Sequence, residues 1–93
     1  MNFTKKEFEQ FTLLEWEEGL LSPSSLRDIN IPQVDLSKGV VLSGRAPIWF
    51  YGALISKLRP ALWVATYDPR LGAAVVVSTH STEVRLGSEI TVS

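Results

Sequence analysis

From Phe11 to Glu18 the chain alternates. Thr12, Leu14 and Trp16 fall on one face and Phe11, Leu13 and Glu15 on the other, which is the period of a strand. Ser22-Pro23 then opens one or two helical turns around Ser24 to Ile29, with Ser22 as the cap and Pro23 as the first helical residue. Residues 31–39 read as an extended connection ending in a turn at Ser37-Lys38-Gly39. Val40 to Ser43 is short, apolar and rich in β-branching, the pattern of a strand covered on both faces. After a break at Ser43-Gly44-Arg45, Ile48, Tyr51, Ile55 and Leu58 recur at helical spacing, with Phe50 and Leu54 alongside. Pro47 fits the first turn of that helix, where its missing N–H is no loss, and Pro60 ends it. Ala61–Tyr67 and Gly72–Ser81 read as strands joined by the hairpin chemistry of Asp68-Pro69-Arg70-Leu71-Gly72, and Glu89 to Ser93 begins a last strand.

In order these elements are βαβαβββ. With short helices and one sheet they predict an α+β fold in the ferredoxin-like neighbourhood, its two short helices on one face. No repeat or low-complexity run divides the chain, and 93 residues suit a single domain, 1–93, with one modest core. So small a domain builds a deep pocket with difficulty, which makes a ligand site between subunits a natural solution. Hydrophobic residues make up 45%, enough to fold. A net charge of −1 argues against blanket attraction to nucleic acid, so an anion would have to be held by a few placed groups. The absence of cysteine excludes disulfides and thiolate metal sites and fits a reducing, cytoplasmic setting. The N-terminus lacks the apolar run of a signal peptide, and no stretch is long enough to span a bilayer.

Chemistry concentrates in two places. At Ser43-Gly44-Arg45-Ala46-Pro47 a strand passes into a helix, and a helix mouth presents unpaired N–H groups and partial positive charge to an anion. Gly44 permits close approach, Arg45 adds a fork of donors and Ser43 a hydroxyl. The bland alternative is a strand-to-helix turn with a surface arginine; the GxxxxGK[ST] phosphate loop is absent. In Tyr67 to Gly72, Asp68 and Arg70 are either a turn residue and an exposed tip, or a metal ligand or general base and a second phosphate contact. His80 closes a strand; as the single histidine it builds no His-rich metal site, but it suits a proton donor or a contact to a base or ribose. Trp16, Trp49 and Trp63 read as core. Tyr51 and Tyr67 read as core, with base stacking as the alternative. Glu15, Glu17 and Glu18 read as a solvated strand end, and Lys5-Lys6 as solubility.

The segments "GVVLSGRAPIW" and "VATYDPRLGAAVVVSTHS", in that order and separation, resemble the third family of CRISPR-associated ring nucleases, found beside type III CRISPR systems. The resemblance runs from Ile31 to Ser81, more than half the chain. It implies a dimerising, ferredoxin-like domain whose substrate is cyclic tetra-adenylate, the messenger that type III effectors make on detecting foreign RNA. Linearising that ring switches the signal off. Members are also described as manganese-dependent and able to trim RNA 3′ ends. Two dimers sandwich the ring, a tetramer whose junction completes the active site. Some members continue into an ATPase-like or kinase-like region, which would account for an end at Ser93. By position, Ser43, Gly44 and Arg45 match the segment that cradles the ligand's phosphates, with Ala46, Pro47 and Ile48 in the same motif. Asp68 matches an essential aspartate and potential Mn2+ ligand, Arg70 lies beside it, and His80 matches a histidine closing the next strand.

One position departs from the family. Members carry histidines near the end of the second helix, one of which takes part in cleavage, and here Arg59 stands at that place. An arginine stabilises charge building on a phosphate but does not shuttle a proton as imidazole does. Two readings follow besides a metal-dependent ring nuclease with Asp68 and Arg59 catalytic. One is a sensor that holds the ring and regulates a fused or separate partner with little cleavage. The other is a general RNA-end nuclease.

Overall fold

The computed structural model describes residues 2–17 and 22–92. Its strands are β1 (Phe3–Glu7), β2 (Phe11–Trp16), β3 (Gly39–Ser43), β4 (Trp63–Asp68), β5 (Ala73–Thr79) and β6 (Glu89–Ile90). They form a mixed six-stranded sheet in the order β1-β2-β3-β4-β5-β6. β2, β3 and β4 run parallel, and the pairs β1–β2, β4–β5 and β5–β6 are antiparallel. A 3-10 segment (Pro23–Asp28) crosses from β2 to β3, and helix α1 (Ile48–Leu58) crosses from β3 to β4.

The α+β class, the single sheet and the run from β2 onward are as expected. Strand order strictly follows chain order, so the described strands do not show the interleaved order of a ferredoxin-like sheet. The first helix is 3-10, with Pro23 at its start and Ser22 in the cap position but making no side-chain cap. The N-terminal segment that carries Lys5 and Lys6, in which no strand was expected, forms the edge strand β1, with both lysines exposed. Charged side chains on an edge discourage pairing with another chain. Here they also bind it down: Lys6 pairs with Glu15 at 3.3 Å, and buried Thr12 donates to Glu7 Oε1 at 2.5 Å. Thr12 is the main reason that the Glu7 carboxyl is held below its ordinary value, ahead of the nearby Lys38 and Lys5 ammonium groups. Of the final strand only Glu89–Ile90 pairs; Glu18 and Ser93 lie outside the described residues.

The alternation in β2 and β3 sorts the core into two layers. On one face Leu14, Trp16, Val40, Leu42 and Val64 pack against Phe50, Leu54 and Leu58 of α1, with Leu26 of the 3-10 segment and Ile29 just after it at the margin. Both helical elements thus lie on one face. The other face, with Phe11, Leu13, Val41, Trp63, Ala65, Ala74 and Val76, is closed by Phe8, Leu62, Val84, Ile90 and Val92. The buried stripe of α1 is Phe50–Leu54–Leu58; Ile48, expected on the stripe, is 90% exposed, and Trp49, read as core, is 38% exposed. Phe50 of the same turn is fully buried against Trp16 of β2; at 3.6 residues per turn Ile48 and Trp49 lie about 200° and 100° around the helix from it, so they point away from the sheet.

Candidate functional site

Parallel strands β2, β3 and β4 end side by side at Trp16-Glu17, Ser43-Gly44 and Tyr67-Asp68. In open sheets, ligands favour the carboxyl ends of parallel strands, because loops there lead into helix N-termini. The turn from β3 into α1 occupies this place, with Pro47 in the cap position and no side chain capping the helix. The Phe50 and Tyr51 N–H groups donate to Pro47 O at 3.0 and 3.4 Å, which leaves the Ile48 and Trp49 amides as the first-turn donors without a helical partner.

The turn is held from two sides. The Trp16 indole N–H donates to the Arg45 carbonyl at 3.0 Å. The Tyr51 hydroxyl donates to the Gly44 carbonyl at 2.5 Å and accepts from the Gly44 N–H at 3.2 Å. Burial raises the Tyr51 hydroxyl above its ordinary value, so it stays neutral and able to donate. Gly44 lies flat on the indole: a Cβ there would come within 2.4 Å of Trp16 Cε2. Both aromatic residues were readable as core: Trp16 is buried, and Tyr51 is half-buried against the same cluster. The sequence shows no sign that their polar atoms also fix the turn, since that depends on a long-range contact between β2 and the loop. Ser43, Gly44 and Arg45, together with Glu17, Tyr67 and Pro69, line a cavity of about 440 Å³.

Asp68 stands at the same end. Its Oδ1 accepts from the Arg70 backbone N–H at 2.9 Å and lies 3.5 Å from Arg70 Nε, while its carbonyl accepts from Leu71 N and Gly72 N. The Arg70 amide is the main cause of a carboxyl held below its ordinary value, so Asp68 is anionic at neutral pH and serves as an acceptor, not an acid. Gly72 takes φ +67°, which closes the turn. One carboxylate with an oxygen already serving the turn is not a donor set for Mn2+ within one chain, and no group of three or more His, Cys, Asp or Glu gathers among the described residues.

Arg59 and His80 lie elsewhere. The His80 backbone N–H donates to Leu62 O at 2.8 Å, and His80 Nε2 lies 2.8 Å from the Arg59 carbonyl oxygen. A carbonyl only accepts, so Nε2 carries the proton and Nδ1 is the basic nitrogen of the neutral ring. The imidazole thereby serves an orphan carbonyl at the end of α1. This pair sits at the start of β4, roughly 17 Å along the strand from Asp68 at the usual rise per residue. The candidate residues therefore form two groups within one chain: Ser43 to Pro47 with Asp68 and Arg70 at one end of the sheet, Arg59 with His80 at the other.

No helix among the described residues is long and apolar enough to cross a membrane. A relative from Aquifex aeolicus (strain VF5), described only as an uncharacterized protein, is 44% identical over 91 residues, covering 92% of this chain and 82% of its own length. The family model for the CRISPR-associated protein Cas_csx3 matches residues 14–91, from β2 through both groups of candidate residues to β6. With most of its length matched, the chain belongs to the CRISPR-associated Cas_csx3 family.

Proposed function

We propose that this protein binds cyclic tetra-adenylate and linearises it at a site completed by further copies of the chain. The observation that carries the reading is the Ser43-Gly44-Arg45 turn, pinned by Trp16 and Tyr51 at an uncapped helix mouth and opening on the cavity. A rigid seat of amides plus one guanidinium suits a phosphodiester, and assembly repeats the seat around a symmetric ring.

The separation of Asp68 from Arg59 and His80 supports a composite site. Meeting of one copy's seat end with another's Arg59–His80 end would unite all the chemistry on one phosphate. Ile48, Trp49 and Leu71, exposed at the seat end, are suited to such a contact. In the reaction, a 2′-hydroxyl attacks the adjacent phosphorus and gives its proton to solvent, the P–O5′ bond breaks with the 5′-oxygen taking a proton from water, and the product is a linear chain with a 2′,3′-cyclic phosphate. Seat amides and Arg45 align the phosphate, while Arg59 from another copy stabilises the phosphorane. Asp68 orients the hydroxyl, and Mn2+ joins it in this reading only with phosphate oxygens and groups from a second copy.

Turnover of the cyclic ring with and without Mn2+, scored by product length, tests the proposal. Linear products from the ring support it, whereas trimming of linear RNA with the ring untouched favours the RNA-end nuclease. Tight binding without products favours the sensor, a reading that Arg59 in place of a histidine supports.

A further inference from the structure

The cavity beside the phosphate seat contains one group that the proposed reaction does not use. Glu17 follows the last residue of β2 and lines the cavity with Ser43, Gly44 and Arg45. No hydrogen bond or ion pair ties its carboxylate to another described residue. Because β2 lies directly beside β3 and parallel to it, with Glu15 paired to Ser43, Glu17 stands just past the neighbouring strand's end, next to the turn. A negative charge beside an anion seat weakens the seat unless it has a task of its own. Dinucleotide-binding α/β proteins show such a task by analogy: the phosphate lies on the turn after one strand, and an acidic residue at the end of the adjacent parallel strand accepts hydrogen bonds from the ribose hydroxyls. A carboxylate only accepts, so it suits a hydroxyl next to the phosphate and has nothing to offer a deoxyribose carbon.

We infer that Glu17 is the ribose-reading residue of this cavity, accepting the 2′-hydroxyl of the ribonucleotide whose 5′-phosphate rests on the Ser43–Arg45 turn, the sugar on the leaving-group side and not the one whose attacking hydroxyl Asp68 orients. This rests on the cyclic tetra-adenylate reading and adds a sugar specificity to it. Phosphate and ribose are recognised by different strands: β3 supplies the seat and β2 the test for RNA. Tyr67, at the end of β4, forms the opposite wall.

The test measures binding of cyclic tetra-adenylate and of its all-2′-deoxy ring to the full chain and to Glu17→Ala and Glu17→Gln. The wild-type chain should favour the ribose ring by about tenfold or more, the usual scale for a hydrogen bond to a charged group. Glu17→Ala should weaken the ribose ring and strengthen the deoxy ring, because it removes an acceptor and a repulsion together. Glu17→Gln, which keeps a neutral acceptor, should fall between. An exposed position after a strand end tolerates these changes without unfolding. Equal binding of both rings by the wild-type chain, or undiminished discrimination in Glu17→Ala, overturns the ribose assignment alone. Binding of neither ring overturns the cyclic-messenger reading and this assignment with it.

Discussion

Tyr51 grips the Gly44 peptide by both its carbonyl and its amide, so one hydroxyl holds the seat in shape. Tyr51→Phe removes both bonds and should cost about 1–2 kcal/mol of stability at a partly buried site, with a larger relative loss in ring affinity. Titration calorimetry beside a denaturant melt separates the two effects. The pH dependence has a definite sign. Burial raises the Tyr51 hydroxyl above 10.0, and the seat uses its neutral form. Its contribution is complete below the unfolded value and is lost as pH rises through the higher folded one. Ring binding should therefore fail in that alkaline window as tyrosinate absorbance appears, and Tyr51→Phe should bind weakly without that step. Arg45→Ala leaves the fold unchanged and should weaken ring binding about tenfold to a hundredfold, the scale of a charge-assisted hydrogen bond; unchanged affinity would remove the phosphate seat. Asp68→Asn should keep binding and lose turnover, and equal turnover would take Asp68 out of the reaction.

At the level of elements, the period of the chain revealed β2, β3, β4, β5 and α1 because each has apolar residues at regular spacing with turn chemistry at its ends. It did not reveal β1, whose Thr4, Lys5, Lys6 and Glu7 are exposed and contribute little apolar signal. Its strand character comes from pairing with β2, a long-range property. Trp49 misled for the opposite reason: an apolar run reads as core, but Trp49 lies about 100° around α1 from buried Phe50 and so faces partly outward. Of the candidate site, Ser43-Gly44-Arg45 was legible as strand, break and helix start. That Asp68 stands at the same end of the sheet as this turn was not, because it depends on β4 running parallel to β3. Two changes test the packing. Phe50→Ala, at a fully buried position between α1 and the sheet, should destabilise by about 3–5 kcal/mol in denaturant melts. Gly44→Ala drives a methyl into the Trp16 ring and should cost about 1–3 kcal/mol while displacing the seat.

For the molecule as a whole, a site shared between copies makes two measurable statements. Activity per chain should fall on dilution. Asp68→Asn and Arg59→Ala, each inactive alone, should recover part of the turnover when mixed, because one contributes an intact seat end and the other an intact Arg59–His80 end; mixtures as inactive as their components would place all the chemistry in one chain. The sequential strand order bears on synthesis as well. Each strand's partner is the one made just before it, so the growing chain can add strands in turn without waiting for a distant segment to be threaded between them. The ligand end needs only β2, β3 and β4 with α1, so a nascent chain that has released Asp68 from the ribosome already holds every residue of the phosphate seat.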